Sequence, residues 1–257
     1  MNIERHIPGK LLKPFIKIYL IIACEDELVN RVLPDTSLVM AFRYKGQVSY
    51  LAHDTQKDLP SSVVSGLRKS GRLINYAKDT GNMLVIFKEA GAHAFIKEPL
   101  YELFEESVSL DNFTGYQNLS MIEEQLAGAA NNTQRIALIE QFLISKLYHH
   151  KPDPLILTAL ESIRLAKGII RIKDLAHTLC ISLDAFEKRF RRVVGVSPKQ
   201  FSYIIRMKSI VNSGLKEQTL AETAFDAGYF DQPHFNKDFK LFTGQTPTDF
   251  LKSPRFW

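Results

Sequence analysis

From Phe15 to about Lys88, short runs of β-branched and aromatic residues alternate with turn-forming residues. The runs are FIKIYLIIA, SLVMAFRY, QVSYLAH, SSVVSG, RLINYA and MLVIFK, with YKGQ, RKSG and DTGN among the punctuation. Spacing of this kind predicts a small antiparallel barrel or sandwich. After Phe95 the period lengthens. LSMIEEQLAGA and TQRIALIEQFLISKLYHH have helical spacing, and the second puts Ile136, Ile139, Leu143 and Leu147 on one stripe. Such a stripe is expected to pack on the sheet or to pair two chains. Two prolines in HHKPDPL then break the helix, and Asp153-Pro154 has the form of an N-cap followed by a first-turn proline. The expected architecture is α+β: a β-rich domain with trailing helices over 1–151, then an all-helical domain over 152–257.

The helical part carries clear start signals. Ser197-Pro-Lys-Gln200, Thr219-Leu-Ala-Glu222 and Thr246-Pro-Thr-Asp249 each place a hydroxyl at the cap and an acid or amide three residues on. That pairing satisfies backbone donors that a helix end otherwise leaves open. An internal repeat lies across the same region. GYFDQPHFNKDFKLFTGQTPTDF overlays CISLDAFEKRFRRVVGVSPKQF so that Phe186 meets Phe235, Phe190 meets Phe239, Gly195 meets Gly244, Pro198 meets Pro247 and Phe201 meets Phe250, an offset of 49. The preceding stretches, IKDLAHTLC and LAETAFDAG, match at an offset of 48, so the second turn is one residue longer. A short helix, a tight turn and a helix with apolar residues at i, i+4 and i+7 is the helix-turn-helix layout, whose second helix enters a major groove.

At about 100° per residue, Phe235, Phe239 and Phe242 share an inner face while Pro233, Asn236, Lys237 and Lys240 are expected outside. In the first unit Phe186, Phe190 and Val193 lie inside, leaving Asp184, Glu187, Lys188 and Arg191 outside. Amides and cations are what base edges and phosphates bond, although a solvated face over a Phe-rich core has the same pattern. Charge separates the two possibilities. Residues 1–151 hold 17 basic and 17 acidic side chains, so the whole net charge of +5 falls in 152–257, as suits a segment that meets a polyanion.

Other classes fit less of the chain. A cupin-like metal enzyme would need ligand spacing, and His6, His53 and His93 show none; His149-His150 suits a helix C-terminus. Cys24 and Cys180, far apart, are expected to be small buried residues, and no metal or cofactor is expected. A protein-interaction module using the basic helices is the second alternative. No apolar run reaches the length of a membrane span, and the acid and proline near the start are unlike a secretion signal, so a cytoplasmic location is expected.

The repeat, and GYFDQPHFNKDFKLFTGQTPTDF above all, resembles the AraC/XylS transcription regulators from about Pro154 to Leu251. The resemblance implies a seven-helix DNA-binding domain with two helix-turn-helix units bridged by one long helix, and no catalysis. It also implies base-contacting positions at Asp184, Glu187 and Lys188 in one unit and at Gln232, Pro233 and Lys237 in the other. Cys180 stands where these proteins usually place Gly, which predicts a strained turn. RVLPDTSLVMAFRYKG and MLVIFKEAGAHAFIKEPLYELFEESVSLDNF are similar to a bacterial β-rich domain of unknown ligand, implying a sensory or oligomerising role. The combined expectation is that helices at about 182–194 and 231–243 enter successive major grooves. The DNA contacts expected are Ser182, Asp184, Glu187, Lys188, Arg191, Gln232, Asn236, Lys237 and Lys240. Double-stranded DNA is the expected partner; a small-molecule effector, a second copy of the chain and, for an activator, RNA polymerase are further candidates.

Overall fold

A computed structural model describes residues 1–52, 55–148, 152–213 and 220–252. Among the described residues, ten strands precede the α-helices: β1 Asn2–His6, β2 Ile16–Cys24, β3 Leu28–Val32, β4 Val39–Lys45, β5 Val48–Ala52, β6 Thr55–Asp58, β7 Ser62–Ser65, β8 Arg72–Tyr76, β9 Thr80–Phe87 and β10 Ser107–Ser109. They form a six-stranded sheet in the order β1-β2-β9-β4-β7-β10 and a four-stranded sheet in the order β3-β8-β5-β6, with antiparallel pairing throughout. All six apolar runs are strands. The four additional strands are short, and β1 and β6 are mostly exposed, so their pairing rests on backbone hydrogen bonds rather than on a buried face.

The six-stranded sheet is apolar on both faces. Tyr19, Ile21, Met40, Phe42, Met83, Val85 and Phe87 are buried on the face covered by helices α1 Ser120–Gly128 and α2 Asn132–Lys146. Phe142 of α2 stands edge-on to Phe42, with ring centroids 5.9 Å apart. The stripe on α2 is used within the chain: Ile139 and Leu143 are fully buried, and Ile136 and Leu147 pack on the same core. The stripe thus packs on the sheet, the first of the two uses expected of it, while Ile144 on the same helix stays exposed. The opposite face offers Leu20, Ile22, Leu84 and Ile86 to a cavity of about 430 Å³ between the sheets.

The remaining helices are α3 Pro154–Leu165, α4 Ile172–Thr178, α5 Leu183–Val194, α6 Pro198–Ser213, α7 Leu220–Asp226, α8 Gln232–Thr243 and α9 Pro247–Lys252. Their ends follow the sequence signals. The Asp153 carboxylate accepts from the Leu155 and Ile156 N–H groups, and Pro154 opens α3. Ser197 and Gln200 bond each other's backbone N–H reciprocally. At α9 the Asp249 N–H reaches the Thr246 hydroxyl, and that hydroxyl donates to the Asp249 carboxylate. Thr219, His53, His149 and His150 lie outside the described residues.

Polar contacts join the strands to the helices. Lys208 of α6 pairs with Asp35, Arg164 of α3 pairs with Glu89, and Arg31 of β3 donates to the Thr243 carbonyl at 3.0 Å. The cavity is lined on this side by Lys208, Val211, Asn212 and Phe242. No helix of the described residues is long and apolar enough to cross a membrane.

Candidate nucleic-acid interface

The two turns open with the same hydrogen bonds. Cys180 N–H bonds the His177 carbonyl and Ile181 N–H that of Ala176; Gly228 and Tyr229 repeat both bonds to Phe225 and Ala224. Cys180 has φ +53° and Gly228 φ +76°, so the left-handed residue sits at the same point of each turn. In the first unit it carries a side chain, which costs roughly 1–2 kcal/mol relative to glycine. Cys180 is exposed, contrary to the expectation of burial, because the left-handed turn projects it from the surface. Cys24 is buried.

Helices α5 and α8 each begin at a side-chain cap and end at a left-handed glycine. Ser182 accepts from the Ala185 N–H and Asp231 from the His234 N–H, while Gly195 and Gly244 close the C-termini at φ +92° and +78°. Between these ends Phe186, Phe190, Phe235, Phe239 and Phe242 are fully buried. The bridging helix α6 touches both units: Phe201 stacks edge-on to Phe190 at 5.7 Å, and Tyr203 meets Phe242 at 6.1 Å and donates to the Asp238 carbonyl. Helices α5 and α8 thus hang on one rod of 16 residues, about 24 Å long at 1.5 Å per residue.

The outer faces are less uniform than the helical wheel suggests. Asp184, Lys188, Arg191, Pro233, Lys237 and Lys240 are exposed, whereas Glu187 and Gln232 are half-buried. Ser182 is engaged as a cap, and Lys188 forms an ion pair with Asp184 at 2.9 Å. Asn236 departs from expectation. It lies about 100° round the helix from Phe235, is half-buried, and its Oδ1 is closed from solvent with no hydrogen-bond partner among the described residues. His234 packs edge-on to the Tyr229 ring at 5.4 Å.

Of two arginines missed in the sequence, only Arg192 joins this surface. Arg192 is exposed about 40° from Lys188, near enough for the wheel to have included it. Together with Lys188, Arg191, Lys97, Pro99 and Tyr101 it lines an open, cationic cleft. Arg189 turns aside instead, bonding both oxygens of the Asp153 cap at 2.5 and 2.8 Å and tying α5 to α3. Burial alone would raise the Asp153 carboxyl, but Arg189 and the cap N–H groups hold it below the usual carboxylate range.

Residues 175–253 match a family described as a helix-turn-helix domain, and residues 4–109 match a domain of unknown function, DUF6597. No curated protein matches the chain. Among solved structures, ToxT from Vibrio cholerae aligns at 10% identity over 91% of this chain and 96% of its own, with a TM-score of 0.43. An unsaturated fatty acid bound ToxT from the same organism aligns at 14% identity, over 91% and 94%, with a TM-score of 0.41. A probable AraC family transcriptional regulator from Rhodopseudomonas palustris aligns at 25% identity over 39% of this chain and 96% of its own, with a TM-score of 0.36. With two helix-turn-helix units hung on one bridging helix, the C-terminal region of the chain belongs to the helix-turn-helix domain family, in its AraC-type form.

Proposed function

We propose that the protein is a sequence-specific transcription regulator, divided near residue 152 into a β-rich modulating domain and a DNA-reading domain. The observation that carries this reading is the repetition: α5 and α8 bury matched phenylalanines inward, carry exposed cations outward, and are both packed against α6. A rod of about 24 Å suits two readers entering successive major grooves on one face of DNA, about 34 Å apart. Lys188, Arg191, Lys237 and Lys240 are the proposed cationic contacts, with Asp184, Glu187 and Gln232 at base-contacting positions. Ser182 and Asn236 are secondary, one engaged as a cap and the other half-buried.

The cavity between the sheets is the proposed effector site. Its volume of about 430 Å³ suits a small molecule, and its wall includes Lys208 and Phe242, which belong to the bridging helix and to the second reading helix. An occupant would therefore touch the elements that set the spacing of the readers. The work is done in the cytoplasm, without catalysis, and in an activator RNA polymerase is the further partner.

The test separates base reading from phosphate holding on α8. Lys237→Ala should cost about 1–3 kcal/mol on a site selected from randomised DNA and relax its preference. Lys240→Ala should weaken selected and scrambled duplexes alike and reduce the log–log salt slope by about one. Parent-like binding by both variants on both duplexes would refute the reading. Salt-insensitive binding to a protein instead of DNA would favour an interaction module.

A further inference from the structure

The second turn is one residue longer than the first, and the hydrogen bonds show which residue is extra. Ile181 and Tyr229 make equivalent bonds, to Ala176 and Ala224, at an offset of 48. The N-caps that follow, Ser182 and Asp231, are offset by 49. Phe230 falls between the two registers and has no counterpart in the first unit.

Its surroundings differ sharply from those of its neighbours. Ile181 packs on the core, and Tyr229 is 5% exposed, its ring against His234 and Phe235 and its hydroxyl bonded to Asp238 at 3.0 Å. With Tyr229 committed inward and Asp231 committed to capping, the extra residue projects away from the core. Phe230 is 99% exposed. It stands immediately before Asp231, the N-cap of α8, at the end of a reading helix that meets base edges, two and three residues ahead of Gln232 and Pro233. A phenyl ring in water is surface that gains by being covered, and the apolar group that a major groove offers is the 5-methyl of thymine.

We propose that Phe230 is a specificity-determining residue that packs on a thymine methyl in the half-site read by α8. This rests on the DNA-regulator reading above. It adds a contact that the hydrogen-bonding side chains of the helix do not supply, and assigns an A·T pair to the edge of that half-site.

The test uses the full chain and a duplex selected from randomised DNA, in which each thymine is replaced in turn by deoxyuridine so that only the methyl is lost. One replacement in the second unit's half-site should weaken the parent about three- to tenfold. Phe230→Ala should weaken binding to the thymine duplex by a similar factor and lose nothing further on the uracil duplex. Phe230→Leu, which keeps an apolar tip, should retain part of the methyl sensitivity. Because the side chain is fully exposed, all variants should melt with the parent. Independent, multiplying losses from Phe230→Ala and the uracil substitution would overturn the proposal. So would an equal loss on scrambled DNA, which would place Phe230 on the backbone, or a change in transcription with DNA binding intact, which would place it on a protein. Failure to select any sequence would instead defeat the regulator reading itself, before a Phe230 variant is made.

Discussion

In the DNA-free protein Lys188 is not idle, because Asp184 holds it at 2.9 Å on the outer face of α5. The two side chains are 76% and 77% exposed, and an open i,i+4 pair of this kind adds only about 0.3–0.5 kcal/mol to a helix. Asp184 also lies in the first turn, where a carboxylate gains about 0.3–1 kcal/mol from the helix dipole. Asp184→Asn, nearly isosteric, should therefore cost about 1 kcal/mol of stability and leave the fold intact. Its effect on DNA should be larger. A phosphate approaching α5 must compete with this carboxylate for Lys188, and the substitution removes both the competitor and a repulsive charge. One additional phosphate contact steepens the slope of log affinity against log salt by about 0.9, so the gain on scrambled DNA should shrink about 3.5-fold between roughly 50 and 200 mM salt. On a selected site the same variant should lose preference at a single base pair. Fluorescence anisotropy with both duplexes at several salt concentrations measures all of this. An unchanged slope together with unchanged affinity on both duplexes would mean that the outer face of α5 meets only water.

Phe239 is fully buried, with ring centroids 5.6 Å from Phe235 and 5.2 Å from Phe250, so Phe239→Ala should destabilise the C-terminal region by about 3–5 kcal/mol in urea denaturation; a loss under about 1 kcal/mol would show that this cluster is not a core. Acid should loosen the contact between strands and helices. Burial raises the Asp35 and Glu89 carboxyls, but Lys208, Arg164 and the Thr36 hydrogen bonds outweigh it and hold both below their ordinary values of 3.8 and 4.5. With depressed folded-state values, their contribution is complete above about pH 4.5 and is lost as pH falls through the folded values. Thermal melting should thus be unchanged from pH 7 to pH 5 and fall below about pH 4, less so in Asp35→Asn; a loss already beginning at pH 6 would contradict the assignment.

Elements with a buried face were legible because burial imposes a period. The six apolar runs became strands, and the phenylalanines of α5 and α8 went inward. Caps were legible because each needs particular side chains at fixed offsets, as Asp153, Ser197 and Thr246 show. What escaped was whatever depends on distant partners or on the backbone alone. Strands β1 and β6 have little buried surface to mark them. The pairing of Lys208 with Asp35 spans 173 positions, and the cavity behind it is assembled from both sheets and two helices. The half-burial of Asn236 depends on what α8 packs against, which the helical period alone does not show, and Arg192 was missed because the outer face of α5 was drawn too narrowly. The extra turn residue was visible as a change of offset from 48 to 49. Only the burial of Tyr229 shows that Phe230, rather than its neighbour, is the residue left outside.

The central claim is that two reading helices on one rod address successive turns of the same DNA face. Hydroxyl-radical footprinting of the full chain on a selected duplex tests it most directly. Two protected windows about 10–10.5 base pairs apart, on one face, are the predicted result. A single window, two windows on opposite faces, or no protection distinguishable from that on scrambled DNA would contradict it.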